Sequence, residues 1–371
     1  MNNQDLNNEE KMVNIKKIGV LTSGGDCSGL NSAIRAVVRR AHQFGWEVFG
    51  IHEGTVGLMQ RPMKYTKLDL TNTGVDLLRT GGTLLKTINK GDPFNYPMID
   101  GSFKDRSQEI VDGYKELGLD ALIAIGGDGS MRIIEKLTNL GNIRFIGIPK
   151  TIDNDVPFTE FPIGYMTAVN VAVESIERLH DTALSHKRVM VAEVMGRDVG
   201  HIALSSGIAS GADVILIPEI PYDINIVAEK VKQIYQSGRD YSIIVVSEAA
   251  RSKDGLQTFS AGQDNKKYGG VGYVIGDAIE KLTGFETRVT VLGHTQRGGS
   301  PIPLDRIIGT AFGVKAVDLL ASGKTKRVVG WMNRKVIDVD LNEIVNTTGE
   351  VDINGDLVNT ARGVGISFGD K

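Results

Sequence analysis

The chain has 371 residues, of which 41% are hydrophobic and 23% charged, so it can bury a sizeable core and is long enough for two lobes. Its 42 Lys and Arg residues against 45 Asp and Glu residues give a formal net charge of −3, which provides no electrostatic reason to expect nucleic acid or an anionic membrane as a partner. The single cysteine, Cys27, excludes an intramolecular disulfide and a Cys-based zinc site, as expected for a protein of the reducing cytoplasm.

Three segments of the chain contain no motif that indicates a chemical function. Residues 1–12 are rich in Asn and Glu, lack the apolar core of a signal peptide and are predicted to form a flexible tail. The polar, glycine-rich stretch Arg251–Gly272 is interpreted as a long loop or insertion, and the segment from Val336 onward matches no motif. Since no stretch approaches the ~18 uninterrupted apolar residues of a membrane span, no membrane partner is expected.

Nine short apolar runs of strand length are spread along the chain. Several lead through a glycine-containing loop into a helical pattern; after Ile18–Leu21, for example, Leu30, Ile34 and Val37 recur at helical spacing. Continuous Val and Ile runs that alternate with amphipathic helices indicate parallel sheets covered on both faces. We therefore predict an α/β fold of two Rossmann-like three-layer α/β/α lobes with mainly parallel sheets. The predicted strands are Ile18–Leu21, Val48–Ile51, Ala121–Ile125, Phe145–Ile148, Val189–Val194, Val214–Ile217, Ile243–Val246, Val289–Leu292 and Val328–Trp331.

Two glycine-rich turns lead directly out of predicted strands, Thr22–Asp26 and Gly126–Ser130. Glycines let backbone N–H groups approach phosphate oxygens, and a following helix presents its positive end to the anion. A single such turn could be no more than a tight connection between a strand and a helix. Two of them in one chain, each with an Asp, favour phosphate binding. Neither is a Walker A motif. Glycines at 270–276 and 363–369 have the wrong spacing for a dinucleotide fingerprint and are interpreted as ordinary turns, which disfavours a Rossmann oxidoreductase.

An acidic segment, Thr-Ile-Asp-Asn-Asp, follows the predicted strand Phe145–Ile148 closely. If this segment is extended, Asp153 and Asp155 point the same way and place two carboxylates at the rim of a phosphate site. One carboxylate would accept a hydroxyl proton while the other helps to hold a metal, as phosphoryl transfer requires. The alternative is an Asx-type turn, which is common for Asp-Asn-Asp.

Arginines flank the predicted strands of the second half of the chain. Arg188 precedes Val189–Val194 and Arg197 follows it, and a later strand is bracketed by Arg288 and Arg297. Arginine binds phosphate bidentately, although each of these residues alone is more often a surface charge. These arginines are therefore candidates for binding an anionic acceptor.

Together these segments closely resemble the 6-phosphofructokinase family, from about Ile18 to Leu320. The resemblance implies the phosphofructokinase fold and the committed step of glycolysis: transfer of the γ-phosphoryl group of ATP to the 1-hydroxyl of D-fructose 6-phosphate, giving fructose 1,6-bisphosphate and ADP, with Mg²⁺ as cofactor. Five segments match the signatures of the family in order, namely Ile18–Asp26, Gly126–Ser130, Thr151–Asp155, Glu193–Arg197 and Gly293–Pro301.

The resemblance also implies roles for individual residues. Asp153 matches the base that takes the 1-hydroxyl proton, Thr151 and Arg197 are the other catalytic residues, and Asp128 matches the residue that positions Mg²⁺. The donor is assigned to Gly25, Gly127, Gly129, Ser130, Asn89 and Lys90. The sugar phosphate is assigned to Thr151, Asp153, Arg188, Met195, Gly196, Arg197, Glu248, Arg288, His294 and Arg297. Since Arg188 and Arg288 match arginines that reach across a subunit interface, the resemblance implies a homodimer or homotetramer with shared active sites.

Two positions bear on the identity of the donor. Gly129 is the small residue associated with ATP, where pyrophosphate-dependent relatives carry an Asp that blocks the α-phosphate. Lys150 stands where most bacterial ATP-dependent members have Gly, and Lys occurs there in pyrophosphate-dependent members and in a mixed group that includes ATP-users. ATP is therefore the expected donor, and a pyrophosphate-dependent fructose 6-phosphate 1-phosphotransferase is the alternative.

The expected organisation is a donor lobe of residues 13–163 plus 296–346 and a sugar-phosphate lobe of residues 164–295 plus 347–371. We expect Asp128 and Asp153 to face one another across a gap wide enough for a magnesium-bound phosphate. An NAD or lipid kinase shares a Gly-Gly-Asp-Gly loop but lacks the other segments. A catalytically inactive regulatory subunit would have no chemical reason to retain Asp128, Asp153 and Arg197.

Overall fold

The computed structural model describes residues 15–89, 91–255, 259–260, 267–347 and 349–371. The predicted tail, 1–12, and the candidate donor residue Lys90 lie outside the described residues. The chain divides into two compact units. Unit 1 takes its described residues from Met1–Thr151, Val156–Gly164 and Gly299–Thr348, and unit 2 from Ile152–Asp155, Tyr165–Gly298 and Gly349–Lys371.

Strands and helices alternate along most of the chain. The strands are β1 (Lys17–Thr22), β2 (Glu47–Ile51), β3 (Tyr65–Leu68), β4 (Tyr96–Pro97), β5 (Phe103–Lys104), β6 (Ala121–Gly126), β7 (Phe145–Thr151), β8 (Ile163–Gly164), β9 (Val189–Val194), β10 (Val214–Leu216), β11 (Ser242–Ser247), β12 (Phe259–Ser260), β13 (Lys267–Tyr268), β14 (Thr287–Val291), β15 (Arg327–Met332) and β16 (Lys335–Asp340). The helices are α1 (Leu30–Gln43), α2 (Val56–Met59), α3 (Ser107–Glu116), α4 (Asp128–Gly141), α5 (Tyr165–His186), α6 (His201–Ala209), α7 (Ile224–Gln236), α8 (Val271–Thr283), α9 (Pro303–Ala321), α10 (Leu341–Val345) and α11 (Asp356–Gly363).

Unit 1 is built on an eight-stranded sheet with the order β16-β15-β7-β6-β1-β2-β3, and β8 pairs with β7. Its central strands are parallel, whereas β3 and β16 pair antiparallel at the two edges. Thr22 at the end of β1 is in register with Ile125 near the end of β6. The loops that follow these two strands therefore leave the same edge of the sheet side by side.

Glycines allow α9 to approach α1 closely in unit 1. A Cβ atom added to Gly313 would lie 2.6 Å from the backbone oxygen of Ala33, and one added to Gly309 would lie 3.0 Å from that of Gly29. Because protein interiors are close-packed, only glycine fits at this spacing. The helix pair covers one side of the sheet that carries the glycine-rich loops.

Unit 2 contains a four-stranded parallel sheet with the order β10-β11-β9-β14. Its central strands, β9 and β11, are fully buried and mostly apolar, as expected for parallel strands covered on both faces. The C-terminal segment belongs to this unit, since Ser367 exchanges backbone hydrogen bonds with Asp213 and Ile215, and Phe368 is buried. Within the described part of the chain, no helix combines the length and apolarity needed to cross a membrane.

The predicted α/β fold with mainly parallel sheets is confirmed, and all nine predicted strands occur. Eight of them lie within two residues of their predicted bounds, and β7 runs three residues further than predicted, to Thr151. The interpretation of Arg251–Gly272 as a loop is wrong in part, because β12 pairs with β13 and α8 begins at Val271. Gly272 and Gly276 are not turn residues but lie within α8. Cβ atoms added there would lie 3.1 Å and 2.8 Å from the side chain of Val289, so these glycines let the helix pack on β14.

Candidate functional site

The two glycine-rich turns form one hydrogen-bonded group in unit 1. Ser23 donates its backbone N–H to Ile125 O at 2.9 Å, and Ser130 Oγ donates to Ser23 Oγ at 3.0 Å. Gly24 donates its N–H to Ile88 O at 2.9 Å, which fixes the first turn against a neighbouring segment. We call the turns Ser23–Asp26 and Gly126–Ser130 the loop pair.

A buried lysine lies beside the loop pair. Lys150 is the second-last residue of β7, is only 4% exposed, and donates a hydrogen bond from Nζ to the backbone oxygen of Gly25. A Cβ atom added to Gly24 would lie 3.2 Å from this Nζ atom and 3.3 Å from Ser130 Oγ. Gly24 also has φ 83°, in the left-handed region that favours glycine, and the backbone of the first turn is held next to a cation.

The second turn continues directly into a helix, unlike the first. Gly127 immediately precedes α4 and Asp128 is its first residue, whereas α1 begins only at Leu30. The first N–H groups of a helix lack intrahelical partners and favour an anion. Gly129 is not in the left-handed region, and a Cβ atom added there would meet nothing within 4 Å. Neither the backbone nor packing requires glycine at position 129.

Asp128 is the candidate metal residue of the second turn. Its carboxylate forms an ion pair with Arg132 at 3.1 Å, and its side chain is 30% exposed. Among the described residues, no three His, Cys, Asp or Glu side chains form a ready-made metal site. This donor set fits Mg²⁺ rather than a metal held by protein alone, because Mg²⁺ commonly binds one or two carboxylates together with substrate phosphates and water.

The candidate donor residue Asn89 adjoins the loop pair along the chain. It is exposed and directly follows Ile88, whose carbonyl accepts the N–H of Gly24. The preceding segment is fixed by Thr22, whose Oγ1 donates to Lys86 O at 2.7 Å. Asn89 is thus carried by a segment that is hydrogen-bonded to the first turn.

The acidic segment Asp153–Asp155 belongs to unit 2, and the chain bends at Asp153; we call this segment the acidic turn. The expectation of an extended segment is wrong, because Asn154 has φ 58°, in the left-handed region that Asn tolerates better than most residues. Asp153 and Asp155 are still close enough for the charge of Asp155 to raise the pKa of Asp153.

The pKa of Asp153 is raised to about 7. Burial of the carboxyl is the largest cause, and Oδ1 has almost no solvent-accessible surface although the residue as a whole is partly exposed. The negative charge of Asp155 raises this pKa further, as do Glu248 and Asp198, while Arg297 lowers it. A carboxyl with a pKa near neutrality can serve as a general base at physiological pH.

The segments that follow β9 and β11 in unit 2 contain Asp198 and Glu248, whose charges act on this carboxyl. Gly196 has φ 141°, and a Cβ atom added there would lie 2.6 Å from Val199 O, so its backbone requires glycine. Met195 donates its N–H to Gln296 Oε1 at 2.8 Å. Burial raises the pKa of Glu248, and a hydrogen bond from the backbone of Gly196 opposes the rise. The segment after β9 is thereby fixed to the turn that contains Gln296.

Three candidate cationic or polar residues at this end of the sheet reach solvent to different extents. The side chain of Arg197 is 75% exposed and lies 3.8 Å from Asp198. His294 is exposed and Arg297 is partly buried, and both lie on the 3₁₀ turn Gly293–Arg297. Arg197 therefore has the freedom to bind an incoming anion, whereas Arg297 already acts on Asp153.

Arg188 and Arg288 lie at the opposite end of the unit 2 sheet. Arg188 precedes β9, Arg288 is the second residue of β14, and both form ion pairs with Glu286. Glu286 accepts a hydrogen bond from Arg188, which lowers the pKa of the Glu286 carboxyl. Because β9 has six residues and a strand rises about 3.3 Å per residue, these arginines are roughly 20 Å from the residues that follow β9.

Four residues of unit 2 were given no role of their own by the sequence analysis. Glu193 is buried in β9 and accepts N–H groups from Gly270 and Gly272, and buried Gln296 accepts from Met195. The glutamate within an otherwise apolar strand was a usable signal. Gly349 contacts Asp155 of the acidic turn, and His201 contacts Gly349. Neither contact has a signature in the local sequence.

The comparisons with known proteins identify the family. The family model described as Phosphofructokinase matches residues 17–320, so the chain belongs to the phosphofructokinase family. The ATP-dependent 6-phosphofructokinase 1 of Synechocystis sp. is 54% identical over 360 residues, which cover 96% of this chain and 99% of that protein. The protein of the same name from Nostoc sp. is 54% identical over 356 residues, with the same coverage of both chains.

A solved structure agrees on the fold. The phosphofructokinase of Pichia pastoris in the T-state is similar with a TM-score of 0.79 and 29% identity over 90% of this chain. This chain spans 36% of the length of that protein.

Proposed function

We propose that this chain is an ATP-dependent 6-phosphofructokinase, which transfers the γ-phosphoryl group of ATP to the 1-hydroxyl of fructose 6-phosphate in glycolysis. The observation that carries the proposal is the Asp153 carboxyl, whose pKa is raised to about 7 among Asp155, Glu248 and Arg297. The name of the relatives at 54% identity supports both the reaction and ATP as donor. As a glycolytic kinase, the protein would act in the cytoplasm.

In this proposal, Asp153 accepts the proton of the 1-hydroxyl as that oxygen attacks the γ-phosphorus. A base with a pKa near the working pH combines a useful ionised fraction with enough basicity to take the proton. Arg297 favours the ionised form, and Thr151 precedes the acidic turn and would lie beside the transferred group. Arg197 binds the acceptor, and Met195, Gly196, Glu248 and His294 orient the sugar.

The donor is assigned to the loop pair in unit 1. Backbone N–H groups of Gly25, Gly127 and Gly129 and the hydroxyl of Ser130 would hold its phosphates, with Asn89 and Lys90 beside them. Mg²⁺ held by Asp128 would, when bound, neutralise charge on the transferred phosphoryl group. The open space at the Cβ position of Gly129 leaves room for the α-phosphate of a nucleotide.

A pyrophosphate-dependent phosphotransferase is the second candidate, favoured by one observation. Lys150 is buried with its Nζ on the first turn, where a fixed cation suits a compact, highly charged donor. The names of the 54% identical relatives support ATP instead. We therefore retain ATP as the proposed donor.

The proposed acceptor site requires a second copy of the chain. Arg188 and Arg288 lie at the far end of their own sheet from Asp153, so they cannot bind the same substrate molecule within one chain. We infer that they bind the 6-phosphate held by a neighbouring subunit. The proposed assembly is a homodimer or homotetramer with shared active sites.

Steady-state assays test the proposal, with each donor supplied separately and with fructose 6-phosphate as acceptor. The wild type should turn over with ATP and produce fructose 1,6-bisphosphate. Asp153→Ser should lower kcat about a hundredfold or more while leaving affinity for fructose 6-phosphate nearly unchanged. Turnover with pyrophosphate and none with ATP would reject the donor, and an unchanged kcat in Asp153→Ser would reject the base.

A further inference from the structure

A short backbone segment near the C-terminus lies directly against the acidic turn within unit 2. Gly349 donates its N–H to the backbone oxygen of Asp155 at 3.2 Å. A Cβ atom added to Gly349 would lie 2.8 Å from that oxygen and 2.9 Å from the carbonyl carbon of Asp155. Both atoms are backbone, so a side chain at position 349 cannot be accommodated unless the turn moves.

The other side of Gly349 is held by a histidine. His201, the first residue of α6, donates from Nε2 to the backbone oxygen of Gly349 at 3.1 Å. Burial lowers the pKa of His201, although the bond to Gly349 and the charges of Glu219 and Asp155 oppose this effect. The ring is therefore neutral near pH 7, and the hydrogen bond to Gly349 fixes the proton on Nε2.

A partly buried residue, Glu219, joins the two segments that carry His201 and Gly349. Glu219 Oε1 accepts the N–H of Gly200 at 3.0 Å and the N–H of Val351 at 3.1 Å. Tyr165 adds a hydrogen bond to the backbone oxygen of His201 at 3.4 Å. The N-terminus of α6 and the segment after Gly349 are thus joined, and both are joined to Asp155.

We propose that Gly349 and His201 are positioning residues for the phosphotransfer reaction: Gly349 lies between His201 and the backbone of Asp155 and holds the acidic turn so that Asp153 meets the acceptor hydroxyl. The inference rests on the proposed function, since it takes Asp153 as the base. Neither residue contacts the reacting groups. Their contribution is geometric, and a displacement of about 1 Å at a reacting group can cost about a hundredfold in rate.

The test compares Gly349→Ala with Gly363→Ala in the full chain. Gly363, at the end of α11, belongs to the same C-terminal segment, has no positive φ, and offers open space for a Cβ atom. We expect Gly349→Ala to lower kcat about ten- to hundredfold, with KM for ATP and fructose 6-phosphate within about threefold of the wild type. The pH at which activity falls on the acid side should also move, because the surroundings of Asp153 change. Gly363→Ala should match the wild type.

A second pair of variants keeps the inference testable if Gly349→Ala fails to fold. In His201→Gln the amide can still donate to the oxygen of Gly349, and in His201→Leu no donor remains. We expect His201→Gln to retain most of the wild-type kcat and His201→Leu to lose about tenfold, at unchanged KM. A purely stabilising role would lower the unfolding temperature of both variants without this difference in kcat.

The outcomes separate the inference from the proposed function. A wild type without turnover on fructose 6-phosphate, with ATP or with pyrophosphate, would overturn the proposed function and with it this inference. An active wild type together with folded Gly349→Ala, or folded His201→Leu, at the wild-type kcat would overturn the inference alone. A change confined to KM would overturn it as well, because positioning of the base acts on kcat.

Discussion

At the scale of single residues, the ionisation of Asp153 links catalysis to stability. Its folded-state pKa of about 7 lies above the value of about 3.9 for Asp in an unfolded chain. Between these two values the folded chain keeps a proton that the unfolded chain releases. The free energy of unfolding therefore falls as the pH rises from about 4 to about 7, and the full cost is present above pH 7.

We predict that Asp153→Asn is more stable than the wild type at pH 8, because the amide removes a buried charge that the wild type must carry there. The gain should be about 1–4 kcal/mol at pH 8 and should shrink at pH 5, where the wild-type carboxyl is largely protonated when folded. Urea unfolding of both proteins at the two pH values measures it. Equal stabilities at both pH values would contradict the assigned ionisation.

Donor selectivity is the second property that we propose for a single residue, Gly129. Gly129→Asp would place a carboxylate in the open space beside the donor phosphates, and an acidic residue in the first turn of a helix is compatible with folding. We expect kcat/KM for ATP to fall about a hundredfold, and Gly129→Ala to stay within about threefold of the wild type. The measurement is steady-state kinetics with ATP. Undiminished use of ATP by Gly129→Asp would show that position 129 does not face the nucleotide.

At the scale of elements, Glu193 connects β9 to α8. Its carboxylate accepts the N–H of Gly270 at 2.9 Å and of Gly272 at 2.8 Å, at the positive end of the helix. Since Glu193 is 1% exposed, water cannot replace these bonds. A charged acceptor at a helix N-terminus thus anchors α8 on the sheet that carries Met195 and Gly196.

Glu193→Ala is predicted to lower the free energy of unfolding by about 2–3 kcal/mol, because two buried N–H groups lose their acceptor. Glu280→Ala is the matched control: this exposed residue of α8 accepts the N–H of Thr287, and its loss should cost under about 1 kcal/mol. Chemical unfolding of the three proteins gives the comparison. A loss in Glu193→Ala no larger than in Glu280→Ala would contradict the anchoring role.

The strands that are buried on both faces could be predicted from the sequence, whereas the strands at the edges of the sheet could not. The nine predicted strands are continuous apolar runs because parallel strands are covered on both faces. The edge strands β3 and β16 escaped prediction because polar residues interrupt their runs, as in Lys335–Asp340, and pairing on one side suffices at an edge. The acidic turn was predicted as extended because the left-handed backbone of Asn154 leaves no mark on the apolar pattern.

Some residues of the candidate site could likewise be predicted from the sequence, and others could not. Motifs identified the glycine-rich turns and the acidic segment, because their chemistry resides in neighbouring residues. The contacts of Glu193 with Gly270, and of Gly349 with His201 and Asp155, join residues far apart in the chain. No local pattern predicts such contacts, so they required the structure.

At the scale of the whole molecule, the position of Arg288 predicts complementation between inactive chains. Asp153→Ser and Arg288→Ser should each be nearly inactive alone. If each active site combines Asp153 of one chain with Arg288 of another, mixing and reassembling equal amounts should restore about a quarter of the wild-type activity, since half of the dimers are hybrids and each has one intact site. No recovery in reassembled hybrids would contradict shared sites.

The proposed reaction requires Asp153 beside the acceptor hydroxyl and Asp128 beside the Mg²⁺ of the donor. The most direct test is a crystal structure of the wild type with Mg²⁺, a non-hydrolysable ATP analogue and fructose 6-phosphate, in which the distance from the Asp153 carboxylate to the 1-hydroxyl oxygen is measured. The account predicts roughly 2.6–3.2 Å, with Mg²⁺ next to Asp128 on the same phosphate. Nucleotide and sugar phosphate in separate clefts, each with one of the two aspartates, would contradict it.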